Sequence, residues 1–108
     1  MKTEQPILIT SITAIEDLSK NVFVDFFGSK STGTDKSLGV CNADTSTGEQ
    51  APVVCRGIAL VKTSAAISVG AQVLCNNGLA SPTGVGPAEG YALDAASGAG
   101  ELIRVLLV

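Results

Sequence analysis

Histidine and tryptophan are absent from this 108-residue chain, and charged residues make up only 16% of it. Without histidine the usual general base at neutral pH and the commonest metal-binding side chain are both missing. No Ser-His-Asp or Cys-His constellation can therefore be assembled. Cysteine is sparse as well: Cys41, Cys55 and Cys75 are an odd number at wide spacing, with no Cys-x-x-Cys. That pattern argues against a disulfide framework and against zinc. Each cysteine lies in an apolar run and is expected to pack as a small reduced hydrophobe, which points to synthesis in a reducing compartment. Aromatic residues are only Phe23, Phe26, Phe27 and Tyr91, so the core must be aliphatic. Seven Lys and Arg residues are scattered through a chain of net charge −3. Phosphate backbones are bound by clustered cations, and none cluster here, so no nucleic-acid partner is expected. No apolar run approaches the ~18 residues that a membrane span requires. Met1 to Pro6 lacks a positive segment followed by an apolar one, so neither a membrane partner nor a secretory signal is expected.

What the chain does contain is aliphatic material punctuated by twelve glycines. Ile7 to Ile12 is β-branched and opens after Pro6, which reads as a first strand. Ala14 to Ser19 suits one helical turn and is too short for a helix. Asn21 to Gly28 alternates, with Val22, Val24 and Phe26 on a core-facing side and Phe23, Asp25 and Phe27 on a partly exposed one. A polar loop, Ser29 to Ser37, has no apolar anchor. Short strands then follow at Leu38 to Cys41, Gln50 to Cys55, Ile58 to Lys62, Gln72 to Cys75, Leu79-Ala80, Gly90 to Leu93 and Glu101 to Val108. Turn residues separate them, including one turn at Gly57. Asn77-Gly78 is the strongest hairpin signal, because both residues tolerate positive φ. The expected fold is all-β: a small barrel or sandwich of short strands with at most one helical turn. It forms one domain over residues 7–108, preceded by an N-terminal arm over residues 1–6.

Two further patterns bear on function. In the last strand Ile103, Val105 and Leu107 form one apolar face, while Leu102, Arg104, Leu106 and Val108 form a second, mostly apolar one. A strand at the surface of a monomer alternates apolar and polar, so both faces here call for cover, by a neighbouring subunit or by barrel closure. A short internal repeat aligns Ala43-x-Thr45-x-x-Gly48-Glu49 with Ala95-x-Ser97-x-x-Gly100-Glu101. Each copy places a glycine in the turn and a glutamate at the start of the outgoing strand.

Catalytic, cofactor and metal sites are not expected. Glu16 and Asp17 are adjacent and point to opposite sides of an extended chain. Gly84 to Gly90 lacks the Lys-Ser/Thr and the helix of a phosphate loop. Arg56 and Arg104, flanked by apolar residues, read as surface side chains whose stems lie along the protein, or as interface anchors. Lys36, beside Asp35 in a Gly/Ser/Thr-rich loop, raises the alternative of a lipoyl-type carrier domain presenting that lysine. A small-ligand barrel is a further alternative.

From Leu38 onward a string of segments resembles the phage capsid cement proteins, related in role to lambdoid head decoration proteins. It comprises Leu38-Gly39-Val40, Gly48-Glu49, Gly57 to Lys62, Ala66 to Val73, Gly78-Leu79-Ala80 and Gly90 to Val105. The resemblance implies a compact β-barrel-like subunit on the outside of the capsid that locks neighbouring capsomers together. Its implied partners are the major capsid protein and further copies of itself, as a homotrimer or a dimer, on virions assembled in the bacterial cytoplasm. It also implies that an N-terminal arm, here Met1, Lys2, Thr3, Glu4, Gln5 and Pro6, contacts the capsid. The strand faces read above place Phe23, Phe27, Leu102, Arg104 and Leu106 at the subunit interface. No catalytic motif comes with the family.

Overall fold

The structure is a computed structural model that describes residues 3–108. Eight strands form one nearly closed antiparallel sheet: β1 (Gln5–Thr13), β2 (Phe23–Val24), β3 (Gly39–Cys41), β4 (Gln50–Lys62), β5 (Gln72–Asn76), β6 (Leu79–Ser81), β7 (Gly90–Ala92) and β8 (Leu102–Leu107). They run in the order β2-β3-β4-β8-β7-β5-β6, with β1 added to β4. The all-β expectation holds. Two strands expected on either side of Gly57 are one: Gly57, at φ 101°, bends β4 without ending it. A Cβ there would lie 2.5 Å from the Gln5 carbonyl oxygen, so only glycine lets β1 cross at this point.

β4 is the spine. One edge carries β1; the other carries β3 along its first half and β8 along its second. The two halves of the chain then repeat one plan. The register Ile9↔Val54↔Val40↔Phe23 in the first half recurs as Ile58↔Leu106↔Tyr91↔Gln72 in the second. Loop hydrogen bonds recur with it. Leu18 and Thr45 exchange both backbone bonds, as do Ile67 and Ala96. Gly48 N donates to Ala14 O at 2.7 Å, and Gly100 N donates to Thr63 O at 2.8 Å. Asn21 and Gly70, at φ 70° and 82°, occupy the same station, as do Gly48 and Gly100 at 90° and 83°. Gly39 and Gly90 match too. A Cβ on either would stand 2.2 Å from a carbonyl oxygen, of Val54 and of Leu106 respectively. The Gly48/Gly100 sequence repeat is thus the visible part of a duplicated backbone.

The halves stack asymmetrically. Phe23, Val40 and Val54, from the outer face of the first half, are buried in one cluster with Ala59, Val61, Val73, Ala92, Ile103, Val105 and Leu107 of the second. The inner face of the first half makes a smaller cluster of Val24, Cys41 and Ala51 under the loop residues Ala14, Leu18 and Val22. No helical turn forms at residues 14–19, because Leu18 spends its backbone on Thr45.

Phe23 is completely buried, so it cannot meet a neighbouring subunit, and the interface expectation is corrected at this residue. The alternation read over residues 21–28 fails because the strand stops at Val24. Asp25 Oδ1 accepts from Phe27 N and from Ser29 N, each at 2.9 Å, and closes a turn that throws Phe26 and Phe27 outward. Phe26, expected inside, is exposed; Phe27 is exposed as expected.

Candidate interaction surface

Apolar side chains lie on the outside of the protein in three adjoining places. β1 is exposed along nearly its whole length, with Ile7 at 84% and Leu8 at 52%, and only Ile12 is half-buried. Its edge away from β4 pairs with no strand among the described residues. Free N–H and C=O groups beside aliphatic side chains make a template for another strand. The outer face of β8 and β7 presents Leu102, Leu106 and Tyr91. Between these two surfaces runs a groove of about 460 Å³, lined by Leu8, Thr10, Phe26, Leu38, Cys55 and Val108, with Lys36, Ser37 and Arg56 also bordering it. A second hollow, of about 330 Å³, includes Glu16, Asp17, Lys30 and Lys62 in its lining, so both signs of charge meet there and neither dominates.

Of the expected interface residues, Phe27, Leu102 and Leu106 are exposed and Phe23 is core. Arg104 is half-buried on the outer face but engaged within the chain. Its Nε and Nη2 donate to the two Asp94 carboxylate oxygens at 3.0 and 2.9 Å, and this fork raises the guanidinium above its usual pKa. It pins the turn between β7 and β8, so the guanidinium it presents on the outer face is already paired within its own chain. Of the arm residues, Met1 and Lys2 lie outside the described residues. Thr3 and Glu4 precede the sheet, and Gln5 and Pro6 already belong to β1, opposite Ile58 and Gly57.

The loop at Ser29 to Ser37, expected to float, is anchored by polar groups. Glu89 is buried, and its carboxylate accepts from Ser37 Oγ at 2.7 Å and Ser37 N at 3.1 Å. Lys36 Nζ lies 3.0 Å from the same carboxylate. A lysine tied to a buried acid is less free than the lysine a carrier domain displays, and this geometry counts against that alternative. Glu89 was not singled out in the sequence. Nothing in Pro87-Ala88-Glu89-Gly90 marks it except its place at the start of a strand.

Cys41 and Cys75 are buried thiols, and loss of solvation pushes Cys75 above the usual thiol pKa. Cys55 is only half-buried and borders the groove, which corrects the expectation that all three pack in the core. Among the described residues no group of three or more Cys, Asp or Glu side chains is placed to hold a metal ion. No helix among them is long and apolar enough to cross a membrane.

The structure is an all-β scaffold in which paired charges brace loops and the aliphatic side chains of β1 face outward. The family profile for phage cement proteins matches residues 2–107, and the chain belongs to that family. Family membership carries a capsid-associated structural role. Among solved structures, the N base of the head fiber gp8.5 of bacteriophage phi29 has the same fold, with a TM-score of 0.72 at 19% identity. The match covers 94% of this chain and 95% of that one. A search of curated proteins found no match.

Proposed function

We propose that this protein binds the outer surface of a phage head and fastens neighbouring capsomers together, as many copies each making a modest contact. The observation that carries this reading is the almost wholly exposed strand β1 with its outward aliphatic side chains, together with the exposed leucines of β8. A specific protein contact buries roughly 1,200 to 2,000 Å² in total, and a 108-residue barrel reaches that only by using whole strand surfaces of this kind. Membership of the cement family and the fold shared with the phi29 head fiber base support the same reading.

Within it, residues 1–6 are the capsid-contacting arm, and the free edge of β1 is where a capsid strand adds. Phe27, Leu102 and Leu106 belong to contacts between copies, with a homotrimer as the assembly. The protein is made in the host cytoplasm and ends on the virion exterior. The test is to mix purified protein with mature and immature heads and image them. Density at capsomer junctions of mature heads is the expected result, and bare heads at saturating protein would end the proposal. Removal of residues 1–4 leaves β1 intact and should abolish decoration without lowering thermal stability.

A further inference from the structure

The duplicated backbone holds one of its own contacts unmade. In the first half the row Phe23, Val40 and Val54 packs into the inner face of the second half, in the cluster that includes Ala59 and Leu107. The equivalent row of the second half is Gln72, Tyr91 and Leu106, by register, and it is solvent-exposed, Tyr91 at 44% and Leu106 at 43%. The inner-face residues of the first half that match Ala59 and Leu107 are Thr10 and Cys55, and both border the open groove. The chain therefore keeps an outer row with nothing on it and a groove with nothing in it. Inside the molecule, the counterparts of these two surfaces are packed together.

We infer that the Tyr91–Leu106 row of one copy seats in the groove bordered by Leu8, Phe26 and Cys55 of a second copy. The inference rests on the self-association in the proposed function and specifies its kind. The two surfaces differ, so the contact is heterologous: each copy offers a row to one neighbour and a groove to the other, until a ring closes. Tyr91 supplies the rigid amphipathic anchor favoured at such contacts, and Leu8 and Phe26 supply apolar walls.

The experiment is a complementation in solution, without heads. A row variant carries Tyr91→Asp and Leu106→Asp; a groove variant carries Leu8→Asp and Phe26→Asp. All four residues are exposed within the chain, so both variants should fold, and melting curves check this. Tyr91→Ser and Phe26→Ser replace them if either does not. By sedimentation, wild type should be oligomeric and each variant alone monomeric. Their equimolar mixture should form a dimer, since one intact row still meets one intact groove. Variants that assemble like wild type overturn the inference. Monomeric variants whose mixture stays monomeric overturn the row-to-groove pairing while leaving self-association in place. A monomeric wild type overturns self-association itself. If both variants of such a monomer also fail to decorate heads, the groove's occupant is the shell protein.

Discussion

The two halves of this chain share a backbone and differ in what they do with it. Phe23 and Gln72 stand at the same station of equivalent strands, yet one is the largest fully buried side chain and the other faces solvent. Leu38 and Glu89 are likewise matched. Each donates its backbone N–H to the equivalent strand, Leu38 to Val24 O at 2.8 Å and Glu89 to Val73 O at 2.7 Å. One then contributes an apolar wall to the groove and the other a buried carboxylate. The lesson is a division of labour. Glycines at close approaches and turns fix the course of the chain, and side chains decide which copy of a face becomes core and which becomes surface.

The sharpest way to break the comparison is at its most unequal pair. Phe23→Ala should cost about 3 to 5 kcal/mol in urea unfolding, whereas Gln72→Ala should stay within about 0.5 kcal/mol of wild type. Comparable losses would mean that the second outer face is not free. Glu89→Leu makes the second half resemble the first, yet it should destabilise by roughly 1 to 3 kcal/mol, because Ser37 N and Oγ lose their buried acceptor. The same measurement on Leu38→Ala gives the apolar counterpart. At the matched left-handed turn positions, Gly70→Ala should cost about 1 kcal/mol and Asn21→Gly should be close to neutral by thermal melting. Equal losses at the two positions would contradict their equivalence.

The smallest effect is electrostatic and belongs to the first half alone. Asp17 Oδ1 accepts from Thr47 N at 2.9 Å and Oγ1 at 3.0 Å, and these bonds hold its pKa below the ordinary carboxylate value. A depressed folded pKa means that the folded state binds the proton less readily than the unfolded chain does. The stabilisation is therefore present above about pH 4 and is lost as pH falls through the lowered folded value. Asp17→Asn should lower the melting temperature slightly at pH 7, and the difference from wild type should close as pH falls from about 4 towards 2. Ala66, the matching residue of the second half, has no carboxylate, so no partner effect should appear there.

Much of this architecture was legible beforehand. β1, the strands from β5 onward and the Asn77-Gly78 hairpin follow from β-branched runs and turn chemistry, and Asn77 and Gly78 do adopt φ 51° and 88°. One piece of the duplication was visible because glycine and glutamate are conspicuous at a turn. Its remainder was hidden because hydrogen-bond register needs no sequence identity: Ala14 and Thr63 make the same pair of bonds with different side chains. Phe23 was misplaced because the second half of the chain covers the outer face of its strand, which alternation alone does not reveal. Phe26 was misplaced because Asp25 ends the strand by accepting two amides of its own turn. Glu89 was invisible because a buried acid is recognised by its partners, and Ser37 and Lys36 lie more than fifty positions earlier in the chain. At the candidate surface, exposed β8 leucines were foreseen. The groove was not, since it takes residues from β1, the Phe26 turn and the strand ends that only the fold brings together.

Gly57 has Pro6 on one side of it and Leu107 on the other. Two inter-strand spacings amount to roughly 10 Å, so the first and last strands start and finish at one corner of the barrel. A bridge of a few flexible residues could join them into a circle, with new ends opened at the exposed loop around Val85.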